Sequence, residues 1–132
     1  MITLCKIDGR EFDVLVTGIQ RDFNVIEGDN SGIAIHNQRE LRDILGIKIG
    51  HKVSFSGDEN PAEYEELIEY LFGSIRESVM IDIIHGQKRI QYEAAYNTAS
   101  DSVSHIDNDN DVVYWNELTV EFRPIENQIS KG

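Results

Sequence analysis

Cysteine occurs once in these 132 residues, at Cys5. No intrachain disulfide can form, and no cysteine-rich zinc site can be assembled. Basic side chains are also scarce: twelve Lys and Arg stand against twenty-four Asp and Glu, giving a formal net charge of −12. That charge repels phosphate backbones and anionic lipid. Only Lys88 and Arg89 are adjacent, so no basic stripe reverses it locally. Direct nucleic-acid binding is not expected, and neither is a membrane role. No apolar run approaches the roughly 18 residues that a spanning helix needs. The opening Met1-Ile2-Thr3-Leu4-Cys5-Lys6 lacks the basic and long apolar regions of a secretory signal, which predicts synthesis in the cytoplasm.

What is present suits one core. An apolar share of 40% in 132 residues is expected to fold as a single domain, 1–132, with no separate linker. Ile2, Leu4 and Ile7 precede Asp8-Gly9, whose residue types accept the positive φ angles of a tight turn, so 2–7 and 10–17 read as a hairpin. The alternation continues past Gly18, a candidate bulge, through Ile19, Phe23 and Val25 to a loop at Glu27–Gly32. Ile33 to His36 and Val53 to Ser56 read as short strands.

Asn60-Pro61-Ala62-Glu63 carries a helix start, with a capping amide, a proline suited to the first turn and a glutamate able to bond back. Tyr64, Leu67, Ile68, Leu71 and Ile75 follow at helical spacing and Gly73 offers a stop, predicting a helix over about 61–73. Asn37 to Glu40 repeats the cap logic before Leu41, Ile44 and Leu45, predicting a short helix over about 38–45. A second hairpin runs from Val79 through His85-Gly86-Gln87 to Tyr96. A flexible loop is expected over about 97–111, a final strand from Val112 to Phe122, and a C-terminal tail over about 124–132. The class is α+β and β-dominated: an antiparallel β-sandwich or open barrel with one main flanking helix.

No catalytic constellation stands out. Asp107-Asn108-Asp109-Asn110-Asp111 spaces carboxylates as a calcium loop does, but Val112 and Leu118 stand where the turn glycine and the closing carboxylate belong. His36, His51, His85 and His105 have no zinc-motif spacing, the serines lie outside any nucleophile elbow, and no glycine pattern makes a phosphate cradle. No cofactor or metal is predicted. Tyr92, Tyr96, Tyr114 and Trp115, on strands that read as neighbours, could form an aromatic contact patch, and core filling explains them equally well.

The order of these signals resembles a group of small proteins encoded among the tail genes of long-tailed phages and prophages of Gram-positive bacteria. The resemblance is carried by Ile7 to Val14, Leu41 to Gly46, Asn60 to Tyr64 and Trp115 to Phe122. Such proteins often carry several tyrosines where Ile47 to His51 stand here, which leaves the subfamily and the partner open. The resemblance implies a fold of the tail-tube type and a structural role in the virion tail, as a homo-oligomer or docked to other tail proteins, with no catalytic residue. A ligand- or protein-binding module of a bacterial host is the alternative, and an enzyme is third.

Overall fold

The computed structural model describes residues 4–27, 32–33, 40–41, 44–126 and 129–130. Among them, eight strands are joined by antiparallel pairing into one sheet, and a single α-helix covers its core. In chain order they are β1 (Cys5–Ile7), β2 (Val16–Glu27), β3 (Gly32–Ile33), β4 (Glu40–Leu41), β5 (Ile44–Gly57), α1 (Pro61–Phe72), β6 (Val79–His85), β7 (Lys88–Ala95), β8 (Val103–Asp107), β9 (Val112–Pro124) and β10 (Ile129–Ser130). The main path runs β1-β6-β7-β9-β5-β10, with β2 also on β5 and β8 also on β9, while β3 and β4 pair with each other. This is the β-dominated α+β arrangement that the alternation predicts.

Strand β9 joins the two halves of the path. Trp115 to Phe122 pairs with β5, and the end of the same strand pairs with β7 through Pro124 opposite Ala94 and Arg123 opposite Ala95. Ile7, Ile81, Ile83 and Tyr92 from one half therefore meet Val53, Phe55, Leu118, Val120 and Phe122 from the other in one cluster. Leu118, Val120 and Phe122 share a face, as their spacing of two dictates, and all three are buried. At the β5–β9 crossing, a Cβ on Gly57 would lie 2.6 Å from the Trp115 carbonyl oxygen, so only glycine fits there.

The helix forms where its cap and period place it. Asn60 Oδ1 accepts from the Glu63 backbone N–H at 3.4 Å, and the Asn60 amide donates to Asp13 at 3.1 Å. The Glu63 carboxylate lies 3.7 Å from Arg10. Tyr64, Leu67 and Leu71 are buried, at roughly 1.5–3 kcal/mol for each fully buried side chain. Gly73 ends the helix, its N–H bonded to the Glu69 carbonyl, and Ile75, expected on the packing face, lies beyond that stop and is fully exposed. Asn60→Ala is expected to destabilise by about 1 kcal/mol in thermal unfolding, and an unchanged midpoint would show that the cap contributes nothing.

Four expectations are corrected. Asp8 and Gly9 do form the tight turn, with φ of 52° and 80°, and Ile7 and Arg10 exchange two backbone hydrogen bonds across it. The hairpin stops at that bridge, however: β1 pairs with β6, and β2 pairs with β5. The short helix expected over 38–45 does not form at 40–41 or 44–45, which are strand, because β5 extends as far as Ile44 to pair with Glu27. The remainder of that segment, like 28–31 and 34–36, lies outside the described residues. Within 97–111, Val103–Asp107 forms β8 on β9, and within 124–132, Pro124 ends β9 while Ile129–Ser130 pairs with β5. The register shift between Val16 and Gly18 places an irregularity at the expected bulge.

Candidate functional site

Strands β2 and β5 stay paired well beyond the point where β9 leaves them. The β5–β9 ladder begins at His51, whereas β2 pairs with β5 out to Glu27 and Ile44. The far half is thus a two-stranded ribbon, which β10 pairs with at Gly46 and Ile47 among the described residues. Residues directly opposite share a face, so Arg21 with His51, Phe23 with Ile49, and Val25 with Ile47 lie on one side, with Leu45 next along it. That side is the core face continued outward. Val53 and His51 are buried and Ile49 is 7% exposed, whereas Phe23 is 61% exposed, Leu45 47% and Val25 39%. On the other face, charged and polar residues, Asp22, Asn24, Lys48, Glu121 and Arg123, border a shallow depression together with Ile26 and Pro124.

His51 sits where the covered face becomes the open one. It is fully buried, its Nδ1 lies 2.8 Å from Tyr92 Oη, and its ring stacks on Tyr92. His85, at the end of β6, meets His51 edge-on at 5.7 Å between ring centres and also touches Phe23 at 6.0 Å. Burial, reinforced by His85 and Arg21 and opposed by Asp22, lowers the His51 pKa from 6.5 to about 4. Cys5 is held inert in the same way: burial pushes its thiol up to about 12.

The structure separates the four candidate aromatic residues. Tyr92 is buried beside His51, and Tyr96 packs on Phe122 and Phe72 while its hydroxyl donates to the Leu71 carbonyl, so both belong to the core. Tyr114 stacks on His105 at 4.4 Å, and Trp115 is half-buried against the core. Strands β7 and β9 meet only at Pro124 and Arg123, so Tyr114 and Trp115 lie about 30 Å along β9 from that junction at ~3.4 Å per residue. Asp107 accepts from the Asp109 and Asn110 backbone N–H groups at 3.1 and 3.4 Å, which makes 108–111 the turn of the β8–β9 hairpin. Among the described residues, no group of three or more His, Cys, Asp or Glu side chains is gathered, and no helix is long and apolar enough to cross a membrane. Sequence reading missed the ribbon, although the unbroken alternation of Phe23 and Val25 against Ile47 and Ile49 was its signal.

The fold is similar to that of the Dit protein of phage SPP1, described as a paradigm of the hub adsorption apparatus in phages that infect Gram-positive bacteria. The TM-score is 0.55 at 16% identity, over 96% of this chain and 50% of that one. The chain thus spans about half the length of the Dit protein, and the likeness is one of fold. No protein-family model matches the chain, and no curated protein is similar to it in sequence.

Proposed function

We propose that this chain is a structural component of a phage or prophage tail, which associates with copies of itself or with other tail proteins and resides in the virion tail. The observation that carries the proposal is the ribbon, whose core-type face leaves Phe23, Val25 and Leu45 open to solvent. Contiguous apolar surface of this kind marks contact sites in soluble proteins. The fold likeness to a tail hub protein supports the same reading. Charge is compatible with it, since a wall carrying −12 per subunit does not hold the phosphates of passing DNA.

Self-repulsion opposes assembly at low ionic strength and is screened over ~10 Å at 0.1 M salt, so association is expected to strengthen as salt rises. Light scattering after size exclusion, in a salt series with and without duplex DNA, should show larger particles at high salt and no shift with DNA. Phe23→Glu should abolish the larger species while leaving the fold intact. A strict monomer at every salt and high protein concentration would count against self-association, and tight DNA binding at physiological salt would overturn the proposal.

A further inference from the structure

We infer that His51 and His85 form a two-imidazole site for a divalent transition cation of the zinc or copper type. The inference is independent of the assembly reading. Apart from tyrosines, His51 is the only polar or charged residue that is buried among the described residues. Tyr92 Oη lies 3.5 Å from the Phe122 carbonyl oxygen as well as 2.8 Å from His51 Nδ1. A hydroxyl that donates to the carbonyl can accept from Nδ1–H, and both bonds are then satisfied. This tautomer leaves a bare lone pair on His51 Nε2. A second bond that orients the ring and sets its tautomer is the usual support of a metal-binding histidine.

That lone pair has no hydrogen-bond partner among the described residues. His51 Nε2 and His85 Nδ1 are both buried without a hydrogen bond, and the two rings lie 5.7 Å apart at 73°. Two imidazoles on one cation, with metal–nitrogen bonds of about 2.0–2.1 Å and a near-tetrahedral angle, place their ring centres roughly 5 to 6 Å apart. Of the charges on the neighbouring strand, Asp22 favours a cation here and Arg21 disfavours it. Two protein ligands suit a weaker affinity than that of a four-ligand structural zinc site. A bound cation would tie the base of the ribbon to the end of the β6–β7 hairpin.

The test uses the untagged, metal-stripped protein. Calorimetric titration with zinc is expected to show one equivalent bound. Zinc should also raise the thermal midpoint. His85→Ala, at a half-buried position that leaves the core intact, should abolish both effects, whereas His105→Ala should leave them unchanged. His51→Gln provides a second loss if it folds. The inference is overturned if excess zinc gives no binding heat, or if His85→Ala binds as the parent does.

Discussion

Phe122→Ala is expected to lower the unfolding free energy by about 3–5 kcal/mol, the usual cost of deleting a fully buried aromatic ring together with the cavity that remains. Phe122 is 0% exposed and packs edge-on against Tyr96, and its backbone pairs with His51. Its position explains the size of the effect. One residue further, β9 turns from β5 to β7, so the ring fills the corner where the two halves of the sheet meet. Phe122→Leu keeps much of the volume and should cost less than about 1.5 kcal/mol. Phe23→Ala, on the open face of the ribbon, should shift stability by no more than about 0.5 kcal/mol. Guanidinium unfolding of the three variants tests the order, and a Phe122→Ala loss no larger than that of Phe23→Ala would mean that the corner is not packed as described.

Acidification is expected to remove up to about 3 kcal/mol of stability through His51 alone, at ~1.4 kcal/mol per pKa unit. The side chain's pKa falls from 6.5 to about 4 in the folded protein, chiefly because burial disfavours the imidazolium. Above pH 6.5 both states hold it neutral and it contributes no pH dependence. As pH drops below 6.5 the unfolded chain takes up a proton that the folded one refuses, so stability falls steadily until the folded pKa is reached near 4. Carboxylates titrate in the lower part of that window, so the comparison is cleanest between pH 6.5 and 5. His51→Gln should flatten the slope there. Parallel stability curves for parent and variant would show that His51 is not the group responsible.

Local signals carried part of this fold. The helix was legible because Asn60-Pro61 and the recurrence of Tyr64, Leu67 and Leu71 agree on one start and one face. The β6–β7 hairpin was legible because Gly86, at φ 63°, sits between two alternating runs, and the final strand because Leu118, Val120 and Phe122 alternate without a break. Each of these depends on residues within a few positions of one another, where capping, turn angles and side-chain period act directly.

What the sequence did by itself determine, then, was the helix, the tight turns, the strand-rich class and the acidic surface. Tertiary structure alone decided which strands became partners. Asp8-Gly9 made its turn, but β1 was claimed by β6, where Cys5, Lys6 and Ile7 complete a ladder. Leu41, Ile44 and Leu45 satisfy helical spacing as readily as a strand, and the choice at 44–45 was made by Val25, Ile26 and Glu27 across the ribbon. His51 and His85, separated by the whole helix, meet only because β5 and the end of β6 line the same end of the core. The physical reason is one of magnitude. Intrinsic preferences for helix or strand differ by less than ~1 kcal/mol per residue, while cross-strand hydrogen bonding and the burial of apolar side chains sum over many residues distant in the chain.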